Sequence, residues 1–428
     1  MLFYLLCIYV SLYYIRPFEW YGPLRGLPIF AVLGIICLLA LFYCWATDKI
    51  RLFAYKTDYM MAGFVLAIVL SHLSNGYFGG AVDSVMQFLP SLVGYFLIAH
   101  GLDNRQKVNR FILLLIVLST YLGYEAWLQH SQGFSHGGLE PLYQQITNAD
   151  GVREPLLRVR WYGLFNDPND LGLALVIAVP FLIQRILEKK YIIAVVCLPT
   201  LLYAIYLTNS RGAMLALLAA IFTFFILYYQ SKKGMIFGVI LTGLLIVFGP
   251  SRMAEISAGE SSAYGRIEAW YEGFQMFKGS PLFGVGKGMF TDYHALTAHN
   301  SYMLVLAELG AVGSFFFIGV FFYSLRWAQK PFFSKRSMPS NSQEHGLLAA
   351  CYGSLMGLMI CMFFLSRAYI LLPFMVLALL TSFINKLNST ETIKPNPDLV
   401  SKDFQVKRIG QLVLLEIVGM YVLIKVLL

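Results

Sequence analysis

Long apolar stretches recur along the whole chain and constrain its fold more than any other feature. We identify thirteen, at 2–15, 27–46, 59–73, 82–100, 111–128, 164–187, 191–208, 212–229, 234–250, 301–325, 346–365, 368–385 and 409–428. A membrane-spanning helix needs about 20 apolar residues. The chain is 58% hydrophobic and only 13% charged, whereas a soluble domain carries about 25% charged residues. The sequence therefore predicts an all-α polytopic membrane protein with about 12–13 transmembrane helices.

The two terminal stretches need separate interpretation. No basic region precedes 2–15 and no small-residue cleavage site follows it, so we expect a retained helix and not a signal peptide. The stretch 409–428 either crosses the membrane or lies flat on it. All six cysteines fall inside apolar stretches without metal-ligand spacing, which indicates small core residues; they are Cys7, Cys37, Cys44, Cys197, Cys351 and Cys361.

The distribution of charge predicts the topology. When the stretches are joined in order, most of the 32 Lys and Arg residues fall on one side of the membrane, and the positive-inside rule makes that side cytoplasmic. The net charge of +9 is therefore a topology signal, and we expect no nucleic-acid partner. A polar segment at 386–408 is typical of a flexible linker. Two long segments, 129–163 and 251–300, lie on the predicted outer side, where function is expected.

The second outer segment has a recognisable internal order. Residues 262–277 predict an amphipathic helix, capped by Ser262, whose apolar face includes Trp270 and packs on the membrane surface or on the ends of the spans. The following GVGKG at 284–288 resembles a phosphate-binding loop only superficially, because no strand precedes it; we interpret it as a tight turn.

Unusual polar residues gather at the predicted outer ends of the spans. They are Arg211, Arg266, His299, Asn300, Arg367 and the FNDPND segment with Asn166, Asp167 and Asn169. Ionisable residues at such positions are costly unless they are paired or used, so they are functional candidates. Plainer interpretations stay open: Arg211 and Arg367 as interfacial anchors, FNDPND as a helix cap, and His299 as a hydrogen-bonded structural residue.

Helix geometry narrows the candidates around His299. Glu308 follows nine residues later, about 180° round the helix, so we expect it to pair with another span. His294 precedes His299 by five residues, a spacing that does not suit a two-histidine metal site on a helix. Gly310 and Gly313 lie near the face of His299, where they would let a neighbouring helix approach closely.

The candidate residues suggest a reaction. The partial positive charge of a helix N-terminus keeps an imidazole neutral, as a general base must be. Guanidinium groups bind phosphate with paired hydrogen bonds. A base beside arginines at a membrane face therefore suggests transfer from a lipid pyrophosphate to an acceptor hydroxyl, with no metal and no cofactor.

The same residues carry a family resemblance. The pattern H-N, nine residues, G, two residues, G at 299–313 resembles the signature of the bacterial O-antigen ligases and related polymerases. Arg211 with Leu215, Arg266 and the segment SPLFGVGKGMF also match. The resemblance covers 160–325. YIRPFEW at 14–20 and GLFNDPND at 163–170 resemble more closely the exosortase-associated O-glycosylation ligases.

The resemblance implies a GT-C-like, metal-independent inverting glycosyltransferase of the bacterial inner membrane. Such an enzyme takes a glycan from undecaprenyl pyrophosphate on the periplasmic face and gives it to lipid A core, protein or another glycan. By this resemblance His299 is the base, and Arg211 and Arg266 bind pyrophosphate. Asn300, Arg367, Asn166, Asp167 and Asn169 are expected at the substrate from their position. The membrane lipids are further partners.

The resemblance also suggests a division of the chain. We expect N-terminal helices with the first periplasmic loop over 1–160, a ligase core with the large loop 251–300 over 161–325, and C-terminal helices over 326–428. A polymerase of the same superfamily is the nearest alternative, since it differs only in the acceptor. A transporter of lipid-linked sugars is another, and it should show charged residues and broken helices near the membrane midplane.

Overall fold

The computed structural model describes residues 1–147, 153–230, 261–333, 343–389 and 405–428, with the single positions 234, 236, 238–240 and 243 between them. Within these ranges the chain forms fifteen helices and one hairpin. The helices are α1 (Leu2–Ile15), α2 (Pro17–Trp20), α3 (Ile29–Ala46), α4 (Lys56–Leu73), α5 (Phe78–Gly101), α6 (Arg105–Gln132), α7 (Pro168–Leu187), α8 (Tyr191–Leu207), α9 (Arg211–Tyr229), α10 (Ser261–Gly279), α11 (Phe290–Tyr293), α12 (Ser301–Phe333), α13 (Gln343–Phe363), α14 (Leu371–Ser389) and α15 (Val406–Leu427).

The prediction of an all-α polytopic membrane protein is confirmed. Eight helices in the described ranges are long and apolar enough to cross a membrane, namely α3, α5, α6, α7, α9, α12, α13 and α15. Two further apolar helices, α8 and α14, are shorter. The stretches 2–15 and 59–73 form α1 and α4, which are not among the eight. Most of the stretch 234–250, the start of the loop 251–300 and most of the linker 386–408 lie outside the described residues.

A short hairpin departs from the all-helical expectation. Strands β1 (Leu142–Thr147) and β2 (Arg153–Arg158) pair antiparallel, with Leu142 opposite Arg158. The hairpin belongs to the first long outer segment predicted from the sequence. The extended backbone of each strand therefore finds hydrogen-bond partners in the other strand.

The chain divides by its packing into two compact units. Unit 1 comprises Met1–Cys37, Gln106–Glu255 and Pro331–Cys361, and unit 2 comprises Leu38–Arg105, Ile256–Lys330 and Met362–Leu428. Each unit is assembled from segments distant in sequence. The three-part division at 160 and 325 stays a prediction.

Unit 1 is built around α7. This helix is apolar on all sides, and every residue from Leu171 to Gln184 is buried, as expected for a helix surrounded by others. Helix α13 approaches it closely, since the Ser354 hydroxyl donates to the Ile177 carbonyl at 2.7 Å. Gly353 permits α13 to approach α9 as well: a Cβ there would lie 2.7 Å from the Ala220 carbonyl oxygen of α9.

Unit 2 contains close helix contacts, but at glycines other than those expected. A Cβ on Gly63 of α4 would lie 2.1 Å from the Phe316 ring of α12, and one on Gly319 would lie 2.5 Å from the Met60 sulfur. A Cβ on Gly313 would meet the Leu309 side chain of its own helix. The expectation that Gly310 and Gly313 admit a neighbouring helix is therefore corrected, because α4 approaches α12 through Gly63 and Gly319.

Helix α12 is interrupted at Gly310, where φ is 63° and ψ is −163°. The loop before α11 supplies the hydrogen bonds that the interruption removes. Val285 and Gly286 donate to the carbonyls of Ala307 and Glu308 at 3.1 and 2.9 Å. After the break, the Ala311 and Val312 amides donate to the carbonyls of Pro281 and Leu282 at 2.9 and 3.1 Å, respectively. Non-helical backbone at membrane depth is tolerated where protein satisfies it in this way.

Candidate active site

His299 is the last loop residue but one before α12, and it adopts a left-handed backbone conformation with φ 47°. Asn300 follows and is completely buried. Its Oδ1 accepts hydrogen bonds from the amides of Tyr302 at 2.9 Å and Met303 at 3.1 Å, so it caps the helix. Its Nδ2 is buried without a hydrogen-bond partner among the described residues. A half-buried imidazole is thus set at a capped helix N-terminus.

Hydrogen bonds hold the chain on both sides of His299. The Trp270 indole of α10 donates to the Ala298 carbonyl at 2.8 Å. The Thr297 hydroxyl donates to Ser366 at 2.8 Å. The Arg367 amide donates to the Ser301 hydroxyl at 2.9 Å, and that hydroxyl donates to the Leu365 carbonyl. Two other segments of unit 2 are therefore fastened beside the histidine.

Each of the two fastened segments carries a predicted arginine. Arg266 precedes Trp270 by four residues on α10, and residues at this spacing share one face of a helix. Arg367 is itself bonded through its amide to the residue that starts α12. The structure thus brings the segments of Arg266, Arg367, His299 and Asn300 together in unit 2.

The predicted helix 262–277 is present as α10, and Trp270 lies on its buried side. The helix packs on protein, since the Trp270 ring also contacts Phe363 with 5.5 Å between centroids. Positive φ values at Gly284, Gly286 and Gly288 agree with the tight turn predicted there.

Lys287 of the glycine-rich turn is buried in the protein, and its side chain contacts other protein groups. It is 6% exposed, and its Nζ donates to Gln87 Oε1 at 2.9 Å and lies 5.2 Å from the Tyr369 ring centroid. Burial lowers the pKa of Lys287, and the Glu308 carboxylate offsets part of this effect. The turn is therefore structural, in agreement with its interpretation from the sequence.

Glu308 is turned towards this same loop. Its Oε1 accepts from the Phe290 amide at 3.3 Å, and its backbone carbonyl accepts from Gly286. These partners lie in the segment between α10 and α12. The pairing of Glu308 with another span stays a prediction.

Arg211 belongs to unit 1, where it is the first residue of α9. The turn before it is bonded to strand β2. The Arg158 guanidinium donates to the Thr208 carbonyl at 3.0 Å, and the Asn209 side chain donates to the Leu157 carbonyl at 3.1 Å. Ser210 caps α9 through the Ala213 amide at 3.2 Å. The first outer segment thus fixes the start of the helix that presents Arg211.

The FNDPND residues have structural partners. Asp167 caps α7 through the Asn169 amide at 2.7 Å, with Pro168 at the first helical position. Asn169 Oδ1 accepts from Arg158 at 3.0 Å, and Asn166 Oδ1 accepts from Arg160 at 3.2 Å. The capping interpretation accounts for these contacts, and binding of substrate by Asn166, Asp167 and Asn169 stays a prediction.

Sequence reasoning missed Arg158, which joins three elements of unit 1. Besides Thr208 and Asn169 it contacts Gln144 of β1, with Nη1 at 3.2 Å from Oε1. A signal was present, since Arg158 and Arg160 alternate around Val159 just before FNDPND, and alternate residues of an extended segment point to one side.

The described ranges contain no group of three His, Cys, Asp or Glu residues that could hold a metal ion.

Comparison with known proteins adds a family match. The family model described as O-antigen ligase matches residues 194–318. The matched segment includes Arg211, Arg266 and the histidine motif, so the resemblance drawn from these residues is confirmed. It supports membership of the O-antigen ligase family and a glycan-transferring membrane enzyme of ligase or polymerase type. A search of the curated proteins found no match.

Proposed function

We propose that the protein, whose residues 194–318 match the O-antigen ligase family model, is a ligase that transfers a glycan from undecaprenyl pyrophosphate to an acceptor hydroxyl on the periplasmic face of the inner membrane. The observation that carries the proposal is the fastening of His299. The segments bearing Arg266 and Arg367 are hydrogen-bonded to Ala298, one residue before His299, and to Ser301, two residues after it.

The reaction assigns a role to each group. An imidazole nitrogen of His299 accepts the proton of the acceptor hydroxyl. The hydroxyl oxygen then attacks the anomeric carbon of the donor sugar, and the bond from that carbon to the pyrophosphate oxygen breaks. The lipid pyrophosphate leaves with the electron pair, and attack from the face opposite to it inverts the anomeric centre.

The arginines stabilise the leaving group. Arg266 and Arg367 are proposed to bind the pyrophosphate, since guanidinium stays charged and donates paired hydrogen bonds to phosphate oxygens. For Arg211 the same role is proposed from the family resemblance alone. Asn300 Nδ2 is proposed as a further donor to substrate, because it is buried and has no partner among the described residues. The acceptor is proposed to be lipid A core or a secreted protein, the latter by resemblance to the exosortase-associated ligases; a polymerase would use a second glycan at the same site.

A transporter of lipid-linked sugars is the second candidate, because α12 is interrupted at Gly310. Helix interruptions in transporters expose backbone groups that bind substrate or ions. Here four of the backbone groups beside the break are occupied by the loop 281–286. This occupancy favours a fixed scaffold over a transport site.

The test is reconstitution of the purified protein with an undecaprenyl-pyrophosphate glycan and parallel protein, lipid A and glycan acceptors, in buffer containing EDTA. His299→Asn is the decisive variant, because asparagine also tolerates the left-handed conformation. We expect loss of transfer by a factor of about 10² to 10⁴, the usual contribution of a general base.

His294→Asn is the matched control. This histidine lies in the same loop, and its hydrogen bonds to described residues are local, to the backbone of Leu296, so transfer should be unchanged. Retained activity of His299→Asn, or a strict requirement for Mg²⁺, would contradict the proposed mechanism. Movement of the lipid-linked glycan across vesicles without any transfer would favour the transporter.

A further inference from the structure

A histidine of unit 1 is held in a fixed orientation by a buried carboxylate. Glu125 of α6 is completely buried. Its Oε2 accepts from the His136 amide at 3.0 Å, and its Oε1 accepts from His136 Nδ1 at 2.7 Å. A carboxylate on Nδ1 places the proton there, so Nε2 of the neutral ring is a hydrogen-bond acceptor.

This orientation leaves the Nε2 atom of His136 on the exposed side of the ring. The His136 side chain is 50% exposed, and among the described residues no side chain or backbone group bonds to Nε2. The hydrogen bond from the His136 backbone amide to Glu125 is enough to anchor the loop to α6. The second hydrogen bond, from Nδ1 of the ring to Glu125, also fixes the direction of the outward-facing imidazole.

Aromatic rings flank this imidazole. The Trp20 ring lies 6.2 Å and the Tyr124 ring 6.4 Å from it, centroid to centroid. Tyr124 is 43% exposed, and Trp127 beside it is 44% exposed. Rings with an accessible face next to a polar acceptor suit a ligand that has both apolar C–H faces and hydroxyl groups.

The surrounding backbone is tightly fixed. Gly137 has φ 76°, and a Cβ there would lie 2.5 Å from both Trp20 Cβ and the Tyr162 hydroxyl. The Trp20 indole donates to the Ile15 carbonyl at 2.9 Å. The motif YIRPFEW, which the active site does not use, thus delivers Trp20 to His136.

The charges facing this group balance. Arg16 forms an ion pair with Glu19. Burial raises the pKa of Tyr162, the nearby Arg25 lowers it, and Glu125 and Glu19 raise it further, so one more cation and one more carboxylate act on the same group. A balanced site favours an uncharged ligand over a phosphate.

We propose that Trp20, Tyr124, Glu125, His136 and Tyr162, the His136 cluster, form a binding site for a sugar ring of a glycan. A sugar hydroxyl donates to His136 Nε2, and the apolar face of the ring stacks on the aromatic side chains. The statement that this glycan is a substrate rests on the proposed function. The inference that the cluster binds a sugar rests only on the residues of the cluster. The glycan is either the sugar part of the lipid-linked donor or a glycan acceptor.

The test measures binding without catalysis. Full-length protein in detergent is mixed with neutral tetrasaccharides, mannotetraose and chitotetraose, and ligand-observed saturation-transfer NMR reports binding. His136→Gln and Tyr124→Leu should each weaken binding at least about tenfold without lowering the unfolding temperature. Glu125→Gln should also weaken binding, because the amide no longer fixes the tautomer.

His130→Gln and Tyr203→Leu are the matched controls. Their rings contact each other at 6.2 Å, with His130 in the last turn of the same helix α6, and binding should be unchanged. If these side chains only form an interfacial aromatic belt, the cluster variants and the control variants should weaken sugar binding equally, or the cluster variants should weaken binding to vesicles and leave sugar binding unchanged. Either result, or no binding to wild-type protein, overturns the proposal.

Transfer assays distinguish the two sources of the glycan. A raised KM for the lipid-linked donor in His136→Gln identifies the donor glycan, and a raised KM for a glycan acceptor identifies the acceptor. The binding measurement stays independent of the proposed function, because His299→Asn should bind tetrasaccharide normally. Normal transfer by His299→Asn would contradict only the proposed mechanism.

Discussion

Gly310→Ala tests the interruption of α12 and its connection to the histidine. The backbone of Gly310, at φ 63° and ψ −163°, lies in a region almost restricted to glycine, and another residue there costs about 1–3 kcal/mol. The added Cβ would lie 2.5 Å from the carbonyl carbon and oxygen of Leu282. These are main-chain atoms, so the clash is relieved only if the loop moves.

Movement of the loop breaks specific hydrogen bonds. The Ala311 and Val312 amides would lose the carbonyls of Pro281 and Leu282, and each bond contributes about 0.5–1.5 kcal/mol net. Together with the backbone strain, the expected destabilisation is about 2–6 kcal/mol. The unfolding temperature should fall on the order of 5–10 °C.

The measurement is thermal unfolding in detergent, followed by tryptophan fluorescence. Gly419→Ala is the matched control, because no atom lies within 4 Å of a Cβ at this helical glycine; it should be neutral or stabilising by up to about 1 kcal/mol. Transfer measured below the unfolding temperature should also fall in Gly310→Ala, since the segment before the break carries His299. An unfolding temperature equal to wild type would refute the reasoning.

Three further substitutions have defined outcomes. Trp270→Phe removes the hydrogen bond to the loop before His299 while keeping an aromatic ring, so KM for the lipid-linked donor should rise several-fold as Arg266 loses its fixed position. Arg158→Gln removes the guanidinium that holds the turn before Arg211, and donor KM should rise while acceptor KM stays constant. Burial lowers the pKa of Lys287 below 10.5, so this lysine binds its proton more tightly in the unfolded chain than in the folded protein. The free energy of unfolding of the wild type therefore rises as pH rises towards 10.5. Lys287→Met should abolish this increase, as measured by comparing unfolding temperatures at pH 7 and pH 10.

Sequence patterns predicted the structure best where it depends on residues that are neighbours in the sequence. The start of α12 directly after His299 and Asn300 could be predicted from the change from polar loop to apolar helix. The interruption at Gly310 did not, because the apolar run 301–325 is continuous. Its cause is the loop 281–286, whose donors and acceptors replace those of the helix. A long-range contact of this kind leaves no periodic signal in the helix itself.

The hairpin and Arg158 were hidden for a related reason. The strands lie in a segment rich in Gln, Leu and Arg, which shows no clear alternation of apolar and polar residues. Arg158 acquires its importance only when the turn before Arg211 folds against β2. Composition marks such an arginine as an interfacial anchor, whereas its three partners make it a positioning residue.

The left-handed backbone of His299 is itself an argument for function. A residue other than glycine costs of order 1–3 kcal/mol in such a conformation, and this strain persists only where the surroundings impose it. Here the surroundings do so from both sides, through Trp270 at Ala298 and through Ser301 at Arg367. A histidine that served only to begin a helix would need none of these bonds, since Asn300 already caps α12. A strained backbone that holds one imidazole in a fixed direction agrees with the proposed role of His299, because a general base must be preorganised.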